Sequence, residues 1–188
     1  SDSEFGNKGV VSFSSNGFKL TNTISDVRTI IVVYDKDGSS KWRFLIGHTS
    51  HYRFHPSDDE ILHPGWNSQT VIDSTIRLNG SVVNAPSTNF GANPGIISYE
   101  LGANESLNLI GSDRNLPAQS WIGDMAEVII LDGTVSATER ANIIAYLSNK
   151  YALQSITDAD QDGVIDSVDK FPTDAAAAVD ADSDGYPD

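Results

Sequence analysis

The sequence predicts an all-β antiparallel sandwich with one helix near its end and an aspartate-rich tail. Short β-branched and aromatic runs alternate with turn signals over the first 132 residues. A single capping box then precedes apolar residues at helical spacing. Beyond these, aspartates recur at regular intervals as far as the last residue.

The predicted strands follow from local patterns. Residues 29–34 form a continuous β-branched run, which is typical of a central strand buried on both faces. Asn79-Gly80 lies between two apolar runs and predicts a type I′ hairpin, because both central residues of that turn need a positive φ. Further strands are predicted at residues 10–14, 42–47, 96–101, 107–111 and 125–131. About nine strands without helical crossovers favour an antiparallel sandwich or jelly roll.

The one predicted helix begins with a capping box formed by Ser136 and Glu139. Four residues at helical spacing should pack against the strands: Ile143, Ile144, Leu147 and Tyr151. The helix is expected to end near Leu153, where the composition changes abruptly. We therefore divide the chain into a binding domain, residues 1–153, and a repeat segment, residues 154–188.

The net charge of −14 is unevenly distributed. Ten aspartates and one lysine lie between residues 158 and 188, so the tail carries about −9 and the preceding part about −5. A negative field of this kind repels nucleic acid and anionic membrane surfaces, and it favours divalent cations. We therefore expect neither nucleic acid nor membrane insertion among the partners.

The sequence lacks three features that would mark a particular compartment: cysteines, a membrane helix and a signal peptide. There are no cysteines, which excludes disulfides and thiolate metal sites. No apolar run approaches the roughly 20 residues of a membrane helix. The first residues have neither the basic start nor the apolar stretch of a signal peptide. We expect the chain to be an excised piece of a larger protein, with neighbouring domains as partners.

The most specific motif runs from Asp158 to Asp169. It places carboxylates at positions 1, 3, 5, 9 and 12 of a twelve-residue loop, with Gly163 at position 6 for the sharp turn. Calcium takes six to eight oxygen ligands, and this spacing wraps a loop around one ion. The predicted ligands of the first loop are Asp158, Asp160, Asp162, the Val164 carbonyl, Asp166 and Asp169.

A second copy of the motif begins at Asp180 and stops before its position 12. With Phe171-Pro172 and Asp174 between the copies, the segment resembles the cysteine-free bacterial form of the thrombospondin type 3 repeat. The resemblance implies bound Ca2+ and a stiffened spacer, in a bacterial protein that is secreted or displayed on the cell surface. It adds as calcium ligands Asp180, Asp182, Asp184 and Asp188, with Asp174 as a bridging residue.

The end of the first domain resembles a concanavalin A-like, laminin-G-type jelly roll. The resemblance rests on the Gly-Asp-Met-Ala-Glu-Val strand at residues 123–128, the Ser-Ala-Thr-Glu-Arg helix start at residues 136–140 and the Tyr-Leu-Ser-Asn-Lys-Tyr ending at residues 146–151. It implies a jelly-roll sandwich over roughly residues 5–153, and it leaves the function open.

The sequence predicts no enzyme. The Glu-x-Asp-x-x-Glu strand of family 16 glycoside hydrolases is absent, and so are the strand motifs of alginate lyases and the Gly-x-Ser-x-Gly elbow. Asp124 and Glu127 have an odd spacing, which on a regular strand points them to opposite faces.

All four histidines fall within the 16 positions 48–63, among arginines and aromatic residues. Three interpretations remain open: structural histidines, a recognition surface for a sugar or peptide, and a transition-metal site. On the second interpretation aromatic rings stack on the ligand while Arg and His donate hydrogen bonds. The candidate ligand-binding residues are Arg43, His48, Tyr52, His55, Trp66 and Arg114.

A second candidate site follows residues 107–111, at Asp113-Arg114. Loops at the ends of sandwiches carry binding residues, and Asp113 and Asp124 could join Asp35 or Asp37 in a calcium site at the rim. For Trp121 nearby, core packing is the simpler interpretation. The leading functional hypothesis is a carbohydrate-binding, lectin-like or adhesion module. A peptide- or protein-binding adhesin domain and a purely structural spacer are the alternatives.

Overall fold

A computed structural model describes residues 2–14, 16–37, 41–91, 94–114, 119–153, 169–174, 176–177, 179 and 185–187. In these residues the protein is mostly β, with a single seven-stranded antiparallel sheet and two helices. Neither helix has the length and apolar character that crossing a membrane requires.

The elements follow one another along the chain as strands with two helical insertions. The strands are β1 Val11–Phe13, β2 Phe18–Tyr34, β3 Ile46–Gly47, β4 Thr75–Leu78, β5 Ser81–Val82, β6 Gly95–Ile110 and β7 Gly123–Leu131. The helices are α1 Gln69–Ile72 and α2 Ala137–Lys150, and a 3-10 turn spans Ala85–Ser87. The sheet order is β1-β7-β2-β6-β4-β5, and β3 pairs with the far end of β6.

The long strand β2 lies at the centre of the sheet, between β6 and β7. Its residues Ile30 and Val32 pack into the larger core, whereas Ile31 and Val33 pack into a second core on the opposite face. This alternation of two buried faces is what a continuous β-branched run requires, and it confirms the prediction for this segment.

The second core lies beneath α2 and joins the two ends of the domain. Phe5, Leu147 and Tyr151 are buried together there, and the Phe5 and Tyr151 rings meet edge to face with centroids 6.1 Å apart. The capping box is confirmed, because Ser136 Oγ accepts from the Glu139 N–H and the Glu139 carboxylate accepts from the Ser136 N–H.

The Asn-Gly hairpin is confirmed as well. Asn79 and Gly80 have φ values of 52° and 84°, as a type I′ turn requires, and they connect β4 to β5. The Asn79 side chain adds a tertiary contact, since its Oδ1 accepts a 2.8 Å hydrogen bond from Ile96 N of β6.

Two strand predictions were wrong in extent. Residues 96–101 and 107–111 were expected to be a pair of strands, but β6 is one strand that pairs with β2 along its whole length. Residues 42–47 were expected to alternate between two faces, but only Ile46–Gly47 is a strand. Trp42 has a φ of 55°, which breaks the extended backbone before the strand can form.

Candidate functional site

Residues 41–68 carry most of the predicted ligand-binding residues, and they are held by tertiary hydrogen bonds and hardly by strand pairing. The Phe44 N–H donates to the Gln119 carbonyl at 3.3 Å, and the Leu45 carbonyl accepts from the Gly111 N–H at 2.7 Å. These bonds attach the segment to the loop that follows β6. The site therefore combines residues 41–68 with the loop after β6, which is distant from them in sequence.

Asn67 fixes the loop that carries His55 and His63. Its Oδ1 accepts from the His55 N–H at 2.6 Å, and its Nδ2 donates to the carbonyls of His55 and His63 at 3.0 and 2.7 Å. The His63 N–H also donates to the His55 carbonyl at 2.7 Å. One amide side chain thus closes the loop and sets the spacing of the two rings.

Four rings meet at this loop, and we call Tyr52, His55, His63 and Trp66 the aromatic cluster. His63 stacks on Trp66 with centroids 4.5 Å apart and planes within 14°. His55 lies 5.2 Å from Trp66 and 5.1 Å from Tyr52, measured between ring centroids. His55 is 1% exposed, whereas Tyr52 and Trp66 are 43% and 51% exposed. The cluster therefore has a buried centre and an open rim.

Arg114 and Asp113 complete the cluster from the other loop. The Arg114 guanidinium carbon lies 3.1 Å from the Tyr52 ring centroid, a cation–π contact. Its Nε donates to Asp113 Oδ2 at 3.1 Å, and the Asp113 side chain is 0% exposed. The buried carboxylate therefore orients the guanidinium over the ring.

A second pair of histidines lies beside the cluster. His48 and His51 stack with centroids 5.2 Å apart. Arg53 Nε pairs with Glu105 Oε1 at 3.1 Å, and Ser68 Oγ donates to the other oxygen of Glu105. His48 has both Asp113 and Glu105 as electrostatic neighbours, which places it between the two ion pairs.

The ring protons follow from the hydrogen bonds. His55 Nδ1 donates to the Pro56 carbonyl at 2.6 Å, because a carbonyl oxygen can only accept. The Nδ1 atoms of His48 and His63 instead accept from the N–H groups of Ser50 and Gly65, at 3.1 and 3.0 Å. Neutral His48 and His63 therefore carry their proton on Nε2.

Burial lowers the pKa of His55 below its ordinary value, an effect that the hydrogen bond to Pro56 and the charge of Asp113 oppose. Burial also lowers the pKa of His48, and the neighbouring His51 and Arg53 lower it further. Both rings are therefore neutral in the folded protein at neutral pH, which suits contacts with uncharged aromatic neighbours.

The structure brings together Tyr52, His55, Trp66 and Arg114 of the six predicted ligand-binding residues, with His48 adjacent. Arg43 is set apart, because its Nη1 donates to the Ser120 carbonyl at 3.2 Å. Sequence reasoning missed the roles of Asp113 beneath Arg114 and of Asn67. For Asn67 no local signal exists, since its function depends on two backbone segments that meet only in the fold.

The described residues contain no group of three or more His, Cys, Asp or Glu side chains arranged to hold a metal ion. Asp35, Asp37 and Asp124 are electrostatic neighbours, and burial raises the pKa of Asp35 and of Asp124. Asp113, which was expected to join them, pairs with Arg114 instead.

The carboxylates of β7 lie differently from the expectation for a regular strand. Asp124 faces Ser12 across the β1–β7 pair, and the register shift opposite Val33 and Tyr34 inserts one extra residue before Glu127. Glu127 Oε2 accepts from Lys150 Nζ at 2.8 Å and from the Tyr151 hydroxyl at 2.9 Å. The bulge thus turns Asp124 and Glu127 to the same side, where Glu127 fastens the end of α2.

Two of the predicted calcium ligands lie in the described residues. Asp169 is 7% exposed; its Oδ1 accepts from the Phe171 N–H at 2.8 Å, and its Oδ2 is buried without a hydrogen-bond partner there. Asp174 Oδ1 accepts from the Ala176 N–H at 3.2 Å. The other predicted ligands lie outside the described residues: Asp158, Asp160, Asp162, Val164, Asp166, Asp180, Asp182, Asp184 and Asp188.

Comparisons of the chain with protein-family models, curated proteins and solved structures found no match.

Proposed function

We propose that the chain is a non-catalytic carbohydrate-binding or adhesion module of a larger secreted or cell-surface bacterial protein. The observation that carries the proposal is the open rim of the aromatic cluster, where Tyr52 and Trp66 expose large parts of their rings. Sugars present apolar C–H faces that pack on such rings, while their hydroxyl groups accept hydrogen bonds from neighbouring N–H donors. Arg114 and the His63 ring supply such donors at the same surface.

Binding fits the arrangement better than catalysis. A glycosidase needs two carboxyl groups facing the scissile bond. Beside the cluster, Asp113 and Glu105 are buried: Asp113 Oδ2 accepts from Arg114, and Glu105 forms an ion pair with Arg53 and accepts from Ser68. Carboxylates held in this way orient their partners and do not face a ligand on the rim.

The architecture we propose is a concanavalin A-like, laminin-G-like jelly-roll sandwich. Two features support it: the sheet buries apolar side chains on both faces, and β2 shows register shifts against β6 between Lys19 and Thr29. Irregularities of this kind bend long strands and allow them to serve two layers.

We further propose that residues 154–188 bind calcium and act as a stiffened spacer. The buried Oδ2 of Asp169, at position 12 of the first loop, supports this, because a buried carboxylate oxygen needs a cation or a donor. Calorimetric titration of the metal-free chain with Ca2+ should show saturable binding. Asp169→Asn should weaken that binding, and Asp26→Asn, which removes an exposed carboxylate of β2, should leave it unchanged. Equal heats for the three proteins would contradict the assignment of Asp169.

The glycan hypothesis is tested by applying the calcium-loaded chain to an array of immobilised oligosaccharides and measuring the hits by calorimetry. We expect Trp66→Ala to abolish binding, because it removes the largest exposed ring of the cluster. Tyr146→Ala is the matched control, since Tyr146 is an exposed aromatic residue on α2. A blank array would contradict the proposal.

A protein ligand is the second candidate function. Tyr, Trp and Arg dominate binding hot spots in protein interfaces, and Tyr52, Trp66 and Arg114 form such a group here. A blank glycan array together with capture of a defined peptide that Trp66→Ala prevents would favour this candidate.

A further inference from the structure

The hydrogen-bonding groups around the aromatic cluster indicate the charge of the ligand as well as its class. We infer that the saccharide bound there is acidic and carries a carboxylate or a sulfate group that Arg114 receives. The inference rests on the proposed function. It follows from an imbalance between hydrogen-bond donors and acceptors at the rim.

The donors at the rim are unused. The one hydrogen bond that Arg114 makes to a described residue runs from Nε to Asp113; its Nη2 is buried without a hydrogen-bond partner, which leaves Nη1 as the terminal nitrogen for a ligand. The half-exposed Trp66 likewise has no described acceptor for its indole N–H. His48 and His63 accept backbone N–H groups at Nδ1, so their Nε2–H groups remain as donors.

The carboxylate acceptors near the rim are buried. Asp113 is fully buried beneath the guanidinium. Glu105 is buried too; it forms an ion pair with Arg53 and accepts hydrogen bonds from Ser68 and the Ser106 N–H. These two carboxylates are acidic electrostatic neighbours of His48, and Asp113 is one of His55 as well. In the aromatic cluster itself, the Tyr52 hydroxyl is the side-chain group that can both donate and accept at the rim.

Ligand chemistry follows from this imbalance. A hydroxyl group donates as well as accepts, so a neutral sugar binds best where both kinds of partner are offered. A carboxylate or a sulfate only accepts, and charged hydrogen bonds to a guanidinium are about twice as strong as neutral ones. Arg114 suits such a group, because Tyr52 stacking and the Asp113 contact hold its guanidinium in place while Nη1 makes no hydrogen bond to a described residue.

The test compares matched ligand pairs on the intact, calcium-loaded chain. Oligogalacturonides are measured against their neutral methyl esters, and sulfated oligosaccharides against their desulfated forms, on one array and then by calorimetry. We expect the anionic member of a binding pair to bind at least about tenfold more tightly. The two kinds of pair distinguish a carboxylate from a sulfate ligand.

The variant Asp113→Asn/Arg114→Gln removes both charges together and so avoids leaving a buried carboxylate unpaired. It should bind the two members of each pair equally, whereas the control Arg28→Gln, which removes one arginine that donates to Leu101 and Gly102 at another place on the sheet, should keep the preference. Melting temperatures check that each variant is folded, and the ligand pairs decide on the unaltered chain alone if the double variant unfolds.

Three outcomes are distinguishable. A preference for the anionic member that the double variant loses supports the inference. Equal binding of charged and neutral members overturns the inference and leaves the proposed function standing. Binding to no member of the array contradicts the proposed function, and the inference falls with it.

Discussion

Trp121 and Trp66 both lie among other aromatic rings, yet the molecule uses them in opposite ways. Trp121 is fully buried between Tyr34 and Phe90, with ring centroids 5.6 and 5.3 Å away, and its indole N–H donates to the Asp35 carbonyl at 3.1 Å. Trp66 contacts three rings but stays half exposed, and its N–H has no described acceptor.

The difference lies in which polar groups are satisfied. The Trp121 ring is fully buried and its indole N–H is hydrogen-bonded, so the ring contributes to stability. Around Trp66 the backbone is fixed by Asn67 while the ring face stays open. Leaving the Trp66 ring uncovered forgoes some hydrophobic stabilisation. It also prepares the ring for a ligand, because little conformational freedom remains to be lost on binding.

The largest expected effect is on stability, at Trp121. Trp121→Ala should lower the free energy of unfolding by about 3–5 kcal/mol, because it leaves a cavity among packed rings and removes one of the two donors to the Asp35 carbonyl. Urea denaturation followed by circular dichroism measures this. A loss below about 1 kcal/mol would show that the core closes around the gap, and it would contradict the contrast with Trp66.

An intermediate effect is expected from pH, at His55 and His48. Burial lowers the pKa of both in the folded protein relative to the ordinary value of 6.5. The unfolded chain therefore binds more protons than the folded chain just below that value, so the stabilisation is fully present above pH 6.5 and is lost as the pH falls towards the folded pKa values.

Thermal unfolding at several pH values between about 7.5 and 5 tests this linkage. His55→Gln should flatten the slope of melting temperature against pH, since the amide stays neutral and can still donate to the Pro56 carbonyl. Adding His48→Gln to His55→Gln should flatten this slope further. An unchanged slope in the double variant would rule out these two rings as its source.

The smallest effect on stability is expected at the rim. Trp66→Ala should change the free energy of unfolding by only about 0.5 kcal/mol, because the removed ring is half exposed. The same denaturation experiment as for Trp121 measures it, and ligand binding measured in parallel should be lost. A stability loss as large as that at Trp121 would identify Trp66 as a core residue and weaken its assignment to a binding surface.

The features predicted correctly from the sequence are those that local physics decides. The β-branched run of β2, the Asn79-Gly80 turn and the capping box of α2 each depend on residues within one element. The extent of β6 could not be predicted, because Gly102 and Asn104 have the composition of a turn. That stretch stays within the strand nonetheless, although its pairing with β2 shifts register between Glu100 and Glu105; there Asn104 Nδ2 donates to Asp26 Oδ1 of β2 at 2.8 Å.

The candidate site likewise contains features that could be predicted from the sequence and features that could not. Tyr52, His55 and Trp66 are close in sequence, and their residue types alone indicated a recognition surface. What could not be predicted is that Asp113 would be buried, since it lies against Gly47 of a distant segment, or that Asn67 would close the loop through hydrogen bonds to His55 and His63. The failure at residues 42–47 has a similar cause, because the positive φ of Trp42 has no signature in its residue type.

The contact between Phe5 and Tyr151 has a mechanical consequence. Because these rings touch and Gly6 lies against Ala152, the chain enters the domain and reaches the end of α2 at neighbouring points. A pulling force applied at these two points would therefore act first on this ring contact, before it reached the pairing of β2 with β6 and β7 at the centre of the sheet.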